Sequence, residues 1–96
     1  MSHLVAVTAV GVDRPGIVAA ITEVLFDRGC NLQDVSSTIL RGHFSMMLVV
    51  ETPSSIDPAA LERDLEAAGR DLGLIVTVRP VEEAAPDGPE IATGSF

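Results

Sequence analysis

Two stretches of this sequence repeat apolar residues at helical spacing, and each lies between runs that read as β-strands. That order of periods constrains the fold more than any other feature. In the first stretch Ile17, Val18, Ile21, Val24 and Leu25 share one helix face, and Gly29 stops the helix as the residue after its C-cap. In the second, Asp57-Pro58 supplies an N-cap and a first-turn proline, Leu61, Leu65, Ala68 and Leu72 make the stripe, and Gly73 ends it. Residues 3–10, HLVAVTAV, are small and β-branched and predict a strand covered on at least part of both faces. Between the helices, NLQDVSSTIL has one polar and one apolar face, turns at Arg41-Gly42, and continues as FSMMLVVE, apolar on both faces, which reads as a hairpin. LIVTVRPV closes the regular structure as a fourth strand, with Pro80 suited to an edge or a strand end.

The order is therefore β-α-β-β-α-β. Two right-handed crossings place the strands 4-1-3-2, antiparallel, with both helices on one face: an α+β, ferredoxin-like sandwich whose two all-apolar strands occupy the centre. Residues 1–83 form this domain, and residues 84–96, AAPDGPEIATGSF, read as a disordered tail.

Charge and cysteine content narrow the function classes. The formal net charge is −8 over 96 residues, with Glu82, Glu83, Asp87 and Glu90 unopposed after the last apolar run, so neither nucleic acid nor an anionic membrane is an expected partner. The single cysteine, Cys30, cannot form an internal disulfide and reads as a small buried apolar residue. No run approaches a membrane span, and the start lacks the pattern of a signal peptide, so the expected compartment is the cytoplasm. A hydrophobic share of 47% is high for so short a chain and points to apolar surface shared between subunits.

The ferredoxin-like order hosts many activities, so each must be tested at its site. An RNA-binding sheet needs exposed aromatics on the central strands, where only Phe44 occurs. A metallochaperone needs two thiols in the first loop, where this chain has Asp13, Arg14 and Pro15. An acylphosphatase-type enzyme has its residue types in Arg14 and Asn31, but Asp13 would repel a phosphate and the spacing does not match. His3 and His43 read as surface residues, Met46 and Met47 as pointing to opposite faces, and Glu66 and Arg70 as an i, i+4 ion pair. No nucleophile-base pair is visible, so no catalysis and no cofactor are expected.

The stretch VGVDRPGIVAAITEVLFDRGCNLQDVSSTIL resembles the ACT domain family, which is marked by a D-x-P-G loop opening the first helix and a G-x-N-[IL] step into the second strand. Both are present, as Asp13-Arg14-Pro15-Gly16 and Gly29-Cys30-Asn31-Leu32. The resemblance covers about residues 3–81. It is strongest to stand-alone ACT proteins and to the amino-terminal halves of the glycine-cleavage-system repressor and formyltetrahydrofolate deformylase.

The loop has a physical reading of its own. Asp13 is expected to cap the helix, Pro15 to lie inside its first turn, Gly11 to let the strand turn out, and Gly16 to keep side-chain bulk away from the free N–H groups. Such bare amides at a positive helix end suit a ligand carboxylate. An amino-acid ammonium would need acceptors such as the Asn31 amide, although Asn31 also suits a left-handed backbone after Gly29. In the family the loop of one subunit commonly faces the Asn step of its neighbour. The resemblance thus implies a ligand site of Gly11, Asp13, Arg14, Gly16 and Ile17 on one side, with Asn31, Leu32 and Gln33 of a partner on the other. The expected function is a non-enzymatic sensor of a small amino acid, glycine or serine by family likeness. It would form a homodimer or higher oligomer and signal by contact with an unidentified protein. The alternative is a ligand-free interaction module of the same fold.

Overall fold

The computed structural model describes residues 2–81. In order, its elements are β1 (Ser2–Val12), α1 (Ile17–Asp27), β2 (Asn31–Leu40), β3 (His43–Pro53), α2 (Pro58–Arg70) and β4 (Ile75–Pro80). The sheet order β2-β3-β1-β4, antiparallel throughout, is the expected 4-1-3-2. The expected tail, 84–96, lies outside the described residues.

One sheet face and the two helices enclose the core. Val5, Val7 and Ala9 of β1 lie opposite Val50, Leu48 and Met46 of β3, and all are buried with Ile17, Ile21 and Leu25 of α1 and Leu61 and Leu65 of α2. The alternation of strand side chains puts Met46 inside and leaves Met47 outside, as expected. On the second face of β1, Ala6 and Thr8 are half-buried while Leu4 and Val10 are exposed, so one chain covers that face only in part.

The connections follow local chemistry. At the end of α1, Cys30 donates its N–H to the Leu25 carbonyl and Gly29 donates to that of Phe26, a Schellman closure with Gly29 at φ 75°. The same pattern closes α2, where Leu74 and Gly73 donate to Gly69 and Arg70 around a left-handed Gly73. Asp57 caps α2 by accepting from the Ala59 N–H, with Pro58 in the first turn. Arg41 and Gly42 both take positive φ, 53° and 78°, and make a two-residue hairpin turn of the primed kind. The expected Glu66–Arg70 pair does not form. The ion pair present among the described residues is Arg28–Asp64 at 2.8 Å, which ties the end of α1 to α2.

The two sheet edges differ. On β4, the Val78 N–H is taken by the Glu62 carboxylate of α2 at 2.9 Å, and Pro80 has no N–H to offer. Along β2 all ten residues are exposed.

Candidate functional site

The β1–α1 join departs from the expected helix start in an informative way. β1 runs on through Gly11, which still pairs with Phe44, so Gly11 is not where the strand turns. A Cβ on Gly11 would meet the Gly73 carbonyl oxygen and Leu74 Cδ2, each at 3.0 Å. This glycine lets the α2–β4 loop cross close to β1. Asp13 donates its backbone N–H to the Gly42 carbonyl at 2.9 Å, which ties the join to the tip of the β2–β3 hairpin. Gly16 follows at φ 88°, ψ −1°, the values of the third residue of a type II turn, with Pro15 at the position that turn favours.

Gly16, not Asp13, is therefore the N-cap, and Pro15 lies ahead of the helix instead of inside its first turn. Asp13 stands three residues too early, and its backbone is held on the hairpin, so its carboxylate does not reach the helix amides. Around Gly16 a Cβ would find nothing within 4 Å. Its positive φ, not crowding, is what calls for glycine.

The consequence is a helix start with no side-chain cap and no acidic residue in its first turn. The first intrahelical bond runs from the Ala20 N–H to the Gly16 carbonyl, and no group among the described residues accepts from the amides of Ile17, Val18 and Ala19. Asp13, Arg14 and Gly16 are exposed, Gly11 is half-buried, and the Ile17 side chain belongs to the core, so Ile17 has only its N–H to offer.

At the other motif, Asn31 opens β2 opposite Glu51 of β3. Its φ is not positive, so left-handed geometry is not the reason for an Asn here. Gln33 is the extra residue of a bulge between Leu32 and Asp34. Its amide nitrogen donates to Glu51 Oε1 at 3.4 Å, while Ser2 Oγ donates to Glu51 Oε2 at 2.6 Å. Asn31 and Leu32 also line a groove of about 490 Å³ with Thr22, Glu23, Leu25, Phe26 and Cys30. Burial pushes the Cys30 thiol above its ordinary pKa, against a smaller opposing pull from the Arg28 charge, so at neutral pH it is a protonated core group.

Sequence reasoning missed two members of this end of the molecule. Glu51 stands at the end of an apolar strand run with no local signal, and only the ladder pairing brings it beside Asn31. Phe26 is 82% exposed. Its signal was legible, because it falls off the apolar stripe of α1.

Within one chain the two motifs do not meet. Val12, where the loop begins, pairs with His43, whereas Glu51, the partner of Asn31, pairs with Leu4. Eight residues of β1 separate those rows, about 27 Å at strand spacing. Among the described residues no group of three or more His, Cys, Asp or Glu side chains is placed to hold a metal ion. No helix there is long and apolar enough to cross a membrane.

Comparison with known proteins gives a consistent picture. The family model of the ACT domain matches residues 3–79. A UPF0237 protein of Methanopyrus kandleri is 40% identical over 74 residues, 76% of this chain and 82% of that one. An ACT domain protein from Streptococcus pneumoniae superposes with TM-score 0.74 at 32% identity, over 81% of this chain and 89% of that one. The expected likeness to larger proteins holds for the fold alone. A formyltetrahydrofolate deformylase from Pseudomonas putida matches at TM-score 0.76 and 20% identity, over 84% of this chain and 30% of that one. A glycine cleavage system transcriptional repressor matches at TM-score 0.76 and 22% identity, over 98% of this chain and 51% of that one. With the loop, the Asn step and the sheet order all in place, the chain belongs to the ACT domain family.

Proposed function

We propose that this protein is a regulatory sensor of a small amino acid, bound between two copies of the chain and read out by protein contact. The observation that carries the reading is the bare start of α1: three main-chain amides with no acceptor among the described residues, at the positive end of a helix. A carboxylate placed there satisfies those donors and gains about 0.3 to 1 kcal/mol from the helix field, up to ~2 where water is excluded. The other helix of the same protein is capped by Asp57, so an open start is a feature of α1 and not of the fold's style.

The ammonium of the same ligand needs acceptors, and the second motif supplies the Asn31 amide oxygen with the Glu51 carboxylate beside it. A second copy closes the separation between the motifs. β4 is blunted by Glu62 and Pro80, whereas β2 presents an unprotected edge. If β2 pairs antiparallel with β2 of a copy, the Asn31 end of one faces the Leu40 end of the other. The 13–16 loop sits at that Leu40 end, held there by Asp13 on Gly42.

Thermal-shift screening against the amino acids tests the reading. A true ligand at ~100 times its Kd stabilises by about 2.7 kcal/mol. In titration calorimetry Asn31→Ala should weaken the complex by roughly 1.5 to 3 kcal/mol while sparing the fold. No shift with any amino acid favours the ligand-free interaction module instead.

A further inference from the structure

We infer that α2 carries a latch on the outer edge of β4: Glu62 and Glu66 close that edge to strand pairing with a second copy of this chain, so that growth of the sheet stops there. In an antiparallel ladder the main-chain groups of successive residues point alternately to one neighbour and away from it. Val81 donates its N–H inward, to the Leu4 carbonyl of β1, so Val76, Val78 and Pro80 are the positions of β4 whose main chain points outward. Pro80 has no N–H, and the Val78 N–H is taken by Glu62 Oε2 at 2.9 Å. That leaves the Val76 N–H, which has no acceptor among the described residues, and Glu66 lines one groove with Val76.

The spacing of helix and strand explains why two carboxylates serve. Four residues of α2 rise about 6.0 Å and two residues of β4 about 6.8 Å, so helix positions i and i+4 keep step with every second residue of the strand. Gly69 lets the helix lie this close, since a Cβ there would meet Leu74 Cβ at 3.1 Å and Val76 Cγ2 at 3.5 Å.

Without the latch the edge would suit its own copy. Two β4 strands paired antiparallel about Thr77 set Val76 of each opposite Val78 of the other, and each such pair exchanges two N–H···O=C bonds. Ile75, 71% exposed, lies beside that contact and would gain cover from it. With the latch in place both Val78 donors are already satisfied, and the same register brings Glu62 of each copy beside Glu66 of the other, so like charges oppose the approach. The consequence is a sheet with one usable edge. A chain that pairs by two-folds at both edges adds copies in a row without end, whereas one that pairs only along β2 closes at two. The latch itself depends neither on the β2 contact nor on any ligand.

Sedimentation velocity of the full chain over a range of concentrations tests it, with circular dichroism to confirm folding. Glu62→Ala/Glu66→Ala should at least double the weight-average mass relative to wild type at the same concentration, and Glu62→Ala alone should move it in the same direction. The mass should stop at twice the wild-type value if β4 is the sole contact and keep rising with concentration if β2 pairs as well, so failure of the β2 contact is told apart from failure of the latch. Glu62→Gln, which still accepts from Val78, should keep the wild-type mass. A wild-type mass in the folded double variant overturns the inference. A Glu62→Gln mass as high as that of Glu62→Ala also overturns it, because charge alone would then guard the edge. If Glu62→Ala unfolds the chain, the bond to Val78 serves the fold and not the edge, and the inference fails.

Discussion

Single glycines in the β1–α1 join do different work, and substitution separates them. At Gly11 the obstacle is a neighbour, since a Cβ would press on main-chain oxygen of Gly73 and on Leu74 at 3.0 Å. At Gly16 the space is open and the obstacle is the backbone itself, at φ 88°. Gly11→Ala should therefore cost about 1 to 3 kcal/mol by overpacking. Gly16→Ala should cost about 1 to 2 kcal/mol by left-handed strain. Urea denaturation tells them apart with a second substitution: Gly11→Val should be worse still, whereas Gly16→Asn should recover much of the loss, because Asn tolerates the left-handed region. Glu51 makes a further residue-level test. Glu51→Gln removes the negative charge that would meet a ligand ammonium while keeping its shape and its hydrogen-bond acceptor. It should weaken amino-acid binding about tenfold or more in calorimetry, in the range of hydrogen bonds to charged groups, with little change in stability.

The two helices show what their sequences encode and what they conceal. Most of both stripes, both glycine stops and the Asp57 cap were legible because each rests on a local rule: period, positive φ, or a short side chain ahead of a proline. Val18, expected on the first stripe, is instead exposed, and Leu72, expected on the second, lies past the end of α2 at Arg70. The start of α1 was legible as a motif but not as a mechanism. Asp13 has the residue type of a cap, and only the bond from its N–H to Gly42 reveals that it belongs to the hairpin. That contact joins residues far apart in sequence, beyond the reach of a local rule. The same limit hid Glu51 beside Asn31 and Glu62 on the Val78 amide. The difference between the helices predicts unequal effects of two similar substitutions. Asp57→Ala should lower stability by about 0.5 to 2 kcal/mol in chemical denaturation. Asp13→Ala, which removes no cap, should change it by less than about 0.5 kcal/mol.

At the scale of the molecule, the separation of the two motifs would make the proposed ligand site an assembly device. If the site needs the α1 start of one copy and the Asn31 step of another, occupancy favours the assembled state and assembly favours occupancy by the same free energy. Mixing two defective proteins tests this directly. Asn31→Ala spoils the step and leaves the loop intact. Gly16→Asp spoils the loop, because an Asp side chain tolerated in the left-handed region places its own carboxylate against the bare amides. Each protein alone should bind the amino acid far more weakly than the wild type does, Asn31→Ala by roughly 1.5 to 3 kcal/mol. In a mixed pair, the intact loop of the first subunit meets the intact step of the second, and the remaining site carries both defects. Calorimetry of an equimolar mixture should therefore regain binding in the mixed pairs, at half the wild-type number of sites per pair and with wild-type affinity. A site complete within one chain would regain nothing on mixing, and the shared-site reading would then be lost.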